Sequence, residues 1–322
     1  MTATVSSHPP RSAATPIEVR SSIEVDREQR RIEALLKTLR RQVSEDIRED
    51  RIEAPLLPSV AVELMRLTAT SEFQLRDVVS VIERDQFITA KVLKTANSAF
   101  FAGTREVASL REAVQRLGVV NVRDIVLAIS FRSAILRDQR YKAAMTRLWE
   151  HALLCGNITR QVAKMKRLPM DEAFLAGLLH DIGKPTLVIS LMNIERVLRD
   201  RAGIQFEPGD YFEVVFDEFH EKVGALVASS WKLPSTCRRA IEYHHRPQDD
   251  DEHSLLVAAV HLADRLCYAL EAEADGTAST ATFFEEVVNR ASAVGLEVSA
   301  PDVDLLMREA HEAHQKAMAA FA

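Results

Sequence analysis

The run Leu178-Leu179-His180-Asp181-Ile182-Gly183-Lys184 ends an apolar helical stretch on an imidazole and a carboxylate standing side by side. Such a pair does metal chemistry only if further donors converge on it, each carried by its own rigid element. That demand constrains the fold of these 322 residues more than any other feature. The candidates are present and ordered along the chain: His151, His180, Asp181, His220, His244, His245 and Asp264. Each lies at a helical position flanked by apolar residues, and together they come from five separate helices. His261, one turn before Asp264, reads as packing. His253 in an acidic loop and the outlying His8, His311 and His314 read as solvated.

A donor set of imidazoles and carboxylates without thiolate suits a divalent ion, Mn, Fe, Zn, Ni or Mg, better than Cu(I) or an iron–sulfur cluster. One or two ions are expected, with Asp181 able to bridge a pair. Two ions so held would polarise a phosphoryl group and lower the pKa of a shared water. Lys184, about one turn beyond the pair, is placed to face phosphate oxygens as a point charge. Asp181 and Lys184 are therefore the catalytic candidates, and no organic cofactor site is nominated. The imidazoles must be neutral to ligate, so metal content should fall below about pH 6.

Only ten glycines and few aromatics, with abundant Ala, Leu, Val, Glu and Arg, favour helix over sheet, and the fold class expected is all-α. Residues 1–22 read as a disordered tail, and 23–50 as an amphipathic helix with its stripe through Ile23, Ile32, Leu35, Leu36, Leu39 and Val43, lying on the main body or else pairing with a partner or a second copy. Short helices follow over 51–138. Longer ones carrying the His/Asp cluster fill 139–270, and amphipathic helices close the chain over 271–322. Ser299-Ala300-Pro301-Asp302 starts the last of these. Leu255 to Leu270 reads as one clean helix, followed by a small-residue linker.

A net charge of −6 gives no general attraction to nucleic acid or acidic membranes. Arg238, Arg239 and Arg246 make only a small basic cluster without interleaved aromatics, so nucleic acid is not expected as a partner. Cys155, Cys237 and Cys267 read as buried free thiols of a reducing cytoplasm. Neither a secretory signal nor a membrane span is expected, so a cytoplasmic location follows. Asn97 and Ser98 fall in an interhelical loop, where their side chains are expected to satisfy backbone groups.

The ordered set from His151 to Asp264 resembles that of the HD superfamily of metal-dependent phosphohydrolases, and most of all its cyclic-dinucleotide phosphodiesterases with a Gly-Tyr-Pro motif. The upstream half is similar to the HDOD domain of bacterial signalling proteins. Leu57-Pro58, Asp85, Leu93, Asn97-Ser98-Ala99, Ala113, Leu117-Gly118, Trp149 and Trp231-Lys232-Leu233-Pro234 carry that likeness, together with residues 177–184. It implies an all-α bundle over about 50–270 with extra N- and C-terminal helices, and a regulatory, partner-binding role in signal transduction. It also implies a protein partner, and allows self-association. Its alternative implication is hydrolysis of a cyclic dinucleotide or nucleotide. Two departures stand out. Arg246-Pro247-Gln248-Asp249 occupies the place of Gly-Tyr-Pro, and Arg147 stands one turn before His151 where some of those enzymes offer a further acidic ligand. A guanidinium cannot ligate a metal.

Overall fold

A computed structural model describes residues 22–68, 72–98, 101, 105–136, 139–203, 209–252, 254–274, 288–289 and 295–321. No strand occurs among them. The expected tail lies, all but its last residue, outside the described residues, as does most of the segment between residues 275 and 294.

The helices are α1 (Ser22–Arg48), α2 (Ser59–Thr68), α3 (Leu75–Ile82), α4 (Gln86–Ala96), α5 (Leu110–Leu117) and α6 (Val119–Ile135). After these come α7 (Lys142–Lys166), α8 (Met170–Leu179), α9 (Gly183–Ala202), α10 (Gly209–Ser230), α11 (Ser235–Tyr243), α12 (Leu255–Ala274) and α13 (Ala300–Phe321). The expected fold class is the observed one. The sequence-level punctuation works as local physics requires. Asp85 caps α4 by accepting from the amides of Phe87 and Ile88, and Ser109 caps α5 through the amide of Glu112. Gly118, at φ 80°, turns α5 into α6.

Helix α1 lies on the body. Leu39 and Val43 are fully buried, Ile32, Leu35, Leu36 and Ile47 pack beside them, and α9 and α10 form the seat. Each buried side chain of this kind contributes about 1.5–3 kcal/mol, far more than the Arg40–Glu218 ion pair at the rim. The loop after α4 is pinned by Asn97, whose amide nitrogen donates to the carbonyl of Val107 and whose oxygen accepts the amide of Val107, both at 2.8 Å. The structural role expected for this side chain is the one it has. Asn97→Ala should therefore cost about 2 kcal/mol in denaturant unfolding, because two backbone groups lose their partner at once.

The second half of the molecule packs around α7. Helices α8 and α12 run along it, α9 and α11 flank α10, and Trp149 of α7 is wholly buried with its indole N–H donating to Ala128 of α6 at 3.1 Å. Arg123 and Arg160 both reach the buried carboxylate of Asp124, tying α6 to α7. Helix α13 starts with the reciprocal cap expected of Ser299 and Asp302 and lays Val303, Leu306 and Ala310 against α7. It also touches α4. The stretch Glu172–Arg201 is apolar enough to cross a bilayer, yet 89% of its apolar window is buried inside this bundle, so it serves as core. Cys155, Cys237 and Cys267 are buried free thiols, as expected.

Two glycines set the closeness of the packing. A side chain at Gly177 would place its Cβ 2.8 Å from the Cα of Gly156, so α7 and α8 touch backbone to backbone. At Gly183 a Cβ would overlap the carbonyl oxygen of His220 and come within 2.9 Å of the amide nitrogen of Gly224. Helix α9 can begin there only because that Cβ is missing.

Candidate metal centre

The turn between α8 and α9 carries His180 and Asp181, and four short contacts join it to the other candidates. His180 Nε2 lies 3.4 Å from Asp181 Oδ2 and 3.3 Å from Asp264 Oδ1. His151 Nε2 lies 3.1 Å from Asp264 Oδ1 and 3.9 Å from Asp181 Oδ2. On the other side of the carboxylate, His220 and His244 bring their Nε2 atoms to 3.6 and 3.5 Å from Asp181 Oδ1. The ring of His245 stacks 4.1 Å from that of His244.

All seven nominated side chains thus meet in one place, in two groups of four that share Asp181. His151, His180, Asp181 and Asp264 form one, entirely buried. Asp181, His220, His244 and His245 form the other, with only His245 exposed. Within each group a ligand atom from every residue lies within 4.8 Å of the others. The donors differ. The first group offers two imidazoles and two carboxylates, the second three imidazoles and one carboxylate.

Three of the imidazoles are oriented by the same device. In His180, His220 and His244 the Nδ1 faces a carbonyl of the preceding turn, Gly177 at 2.8 Å, Phe216 at 2.5 Å and Ile241 at 3.0 Å. An Nδ1–H donated there leaves Nε2 as the free lone pair pointing inward. In His151 the Nδ1 faces instead the carboxylate of Glu271, at 2.9 Å.

The residues fit a metal pair. His180 Nε2, Asp181 Oδ1 and Asp264 Oδ2 are buried without a hydrogen-bond partner, a costly condition that an ion relieves. The charges of the site show how the protein holds it together otherwise. Burial disfavours charge on Asp181, but Lys184 and His180 keep its carboxyl well below the usual range. Lys184 Nζ donates to Asp181 Oδ2 at 2.5 Å and to the hydroxyl of Tyr268 at 3.0 Å. Burial also opposes charge on His151, yet the carboxylates of Asp264 and Glu271 more than offset it and raise its pKa to about 9. His220 goes the other way. Its burial, opposed by Asp181 and reinforced by His244, takes it down to about 4.

Three sequence readings need correction. His180 and His244 cap the ends of α8 and α11 and His245 lies in the following turn, so the donors do not all sit within helices. His261 does more than pack, since its Nδ1 lies 2.6 Å from the carbonyl of His244 and holds that turn in place. Helix α12 runs on to Ala274, one turn past the expected end at Leu270, and that extra turn delivers Glu271. The basic cluster is neutralised: Arg238 faces Glu242, Arg239 reaches Asp250, Asp251 and Glu252, and Arg246 pairs with Glu221. Arg147 is exposed.

Residues 54–247 of this chain match the HDOD domain. The chain belongs to the HDOD family. The HDOD match reaches four of the five elements that carry candidate ligands and stops before Asp264 on α12. A Treponema pallidum protein of uncharacterised function is 26% identical over 235 residues, covering 70% of this chain. This chain spans 44% of that relative's length. Among solved structures, a Shewanella amazonensis SB2B protein provisionally named a metal-dependent phosphohydrolase aligns with a TM-score of 0.65 at 19% identity, over 88% of this chain and 98% of its own. A Marinobacter aquaeolei VT8 protein provisionally named in signal transduction aligns with a TM-score of 0.61 at 22% identity, over 89% of this chain and 66% of its own. At these identities the likeness is one of fold.

Proposed function

We propose that this HDOD protein is a signal-transduction module built around a two-ion divalent metal centre, with partner binding as its output. The observation that carries the reading is the sharing of Asp181 between two complete groups of four donors. His151, His180 and Asp264 would hold one ion with Asp181. His220, His244 and His245 would hold the other. The Marinobacter relative's signalling name agrees with this role, as does the HDOD match itself.

A second reading, a phosphohydrolase or phosphodiesterase acting on a cyclic dinucleotide or nucleotide, is favoured by Lys184 beside the shared carboxylate and by the Shewanella relative's name. A bound ion pair supplies Lewis acidity toward a phosphoryl group and a water acidified to near neutrality. In that reading Asp181 stays ionised because Lys184 lies against it, and Tyr268 fixes where the ammonium sits. Of the seven donors, only His245 is exposed.

Elemental analysis of the full chain should find about two equivalents of divalent metal. A panel of cyclic dinucleotides and model phosphodiesters then separates the readings, since metal without turnover leaves the signalling module and turnover establishes the enzyme.

Acid should empty the two positions separately. His151 is charged at neutral pH, so an ion can enter its group only as a proton leaves. Affinity there should rise tenfold or more per pH unit up to about pH 9, since Cys155 and Asp181 raise His180 as well, against its burial. Burial takes His220 down to about 4 and His245 down to about 3, so those two rings should release no proton when the second ion binds at neutral pH. Titrations at several pH values check this, and a single threshold near pH 6 for both ions would refute it.

A further inference from the structure

One imidazole of the centre is oriented differently from its companions. His180, His220 and His244 each lean on a backbone carbonyl three or four residues back, an acceptor that no substitution can remove. His151 leans on a side chain 120 residues away, the Glu271 carboxylate, through a 2.9 Å contact to Nδ1. Glu271 belongs to a ladder on one face of α12. His261 holds the His244 carbonyl, Asp264 meets His151 and His180, Tyr268 receives Lys184, and Glu271 receives His151. These residues are spaced three, four and three apart, so successive turns of one helix serve α7, α9 and the ends of α8 and α11. The Tyr268 ring also lies 5.1 Å from the His151 ring, restricting its tilt. Half of the Glu271 side chain, 49%, is exposed, so its carboxylate sits at the rim while its partner is buried.

We propose that Glu271 is the positioning residue of the metal centre: by accepting the Nδ1–H of His151 it fixes that ring with Nε2 toward Asp264 and Asp181, and so sets the affinity of the ion held by His151, His180, Asp181 and Asp264. The proposal rests on the two-ion reading above. Its specific content is asymmetry. Glu271 acts on one ion position and leaves the His220, His244, His245 position alone, because it touches no residue exclusive to that group. An anionic acceptor also makes the imidazole a stronger donor than a carbonyl would, which favours the ion further.

The test is a Co2+ titration of the metal-free full chain, followed by the visible absorption of the bound ion and by competition with a chelator. Wild type should take up two equivalents. Glu271→Ala should weaken one of them by about 10- to 100-fold and leave the other unchanged. Glu271→Gln, whose amide oxygen still accepts the Nδ1–H, should recover most of that loss. A Glu271→Ala protein binding two equivalents with wild-type affinities, or weakened equally at both, overturns the positioning role while the two-ion centre stands. So does a Glu271→Gln protein no better than Glu271→Ala. A wild-type chain that takes up no Co2+ overturns the centre and this role with it. Thermal melts of the metal-free variants should match wild type, since the group is half in solvent.

Discussion

Asp181→Asn should abolish uptake of both ions, reducing metal content from about two equivalents to less than about a tenth. Every other donor serves one group of four, whereas Asp181 contributes Oδ1 to one and Oδ2 to the other. The amide keeps the shape and one neutral acceptor, but it removes the negative charge that balances a cation on each side. His220→Ala, by contrast, should empty one position and spare the other. Asp181→Ala should carry a second penalty independent of metal. Lys184 is 8% exposed and has this carboxylate as its anionic partner, so its removal strands a buried ammonium beside Tyr268 alone. Leaving such a charge unpaired costs about 3–5 kcal/mol. Elemental analysis and denaturant unfolding of both variants read the two effects apart. Retention of both ions by Asp181→Asn would end the shared-ligand account.

Gly183→Ala should be the most damaging single methyl in the second half of the chain. Its Cβ would overlap the His220 carbonyl oxygen and crowd the Gly224 amide nitrogen, and these are backbone atoms of α10 that no rotamer change can move away. Overpacking ordinarily costs about 1–3 kcal/mol, and a clash against a rigid helix backbone belongs at or above the top of that range. The displacement also falls on chemistry. Pushing α10 outward carries His220 away from Asp181, now 3.6 Å distant, so metal affinity should drop even in the fraction that folds. Gly203→Ala on the same helix serves as the comparison. Its φ of 63° also disfavours alanine, yet nothing lies within 4 Å of the added methyl, so the cost there is backbone strain alone and the metal should stay.

The centre was legible in the chain because its residue types are chemically unusual in apolar helical surroundings. His180-Asp181 announces itself locally, and the rest follow as isolated imidazoles and one acid on helices whose other inward positions are apolar. Convergence is a different matter, since spacing along the chain says nothing about which helix faces lie together. Glu271 was lost for a narrower reason. The small residues Ala272 and Ala274 and the glutamates around them lack the apolar spacing that marks a buried helix, so the turn carrying Glu271 looked like linker. The acidity of the site also depends on tertiary placement. A single threshold near the free imidazole value supposes equivalent rings, but His151 lies between two carboxylates while His220 lies between Asp181 and another imidazole.

Helix α13 bears on how the molecule should be cut. It lies more than fifty residues beyond the last residue of the HDOD match, yet its Val303 and Leu306, with Leu296 and Val298 just ahead of it, join the apolar cluster of α7 and α12. A fragment ending after α12, at Ala274, would keep every candidate ligand yet bare that apolar flank. Clumping or loss of metal in such a fragment would report on the missing lid, and say nothing about the worth of the ligands in front of it.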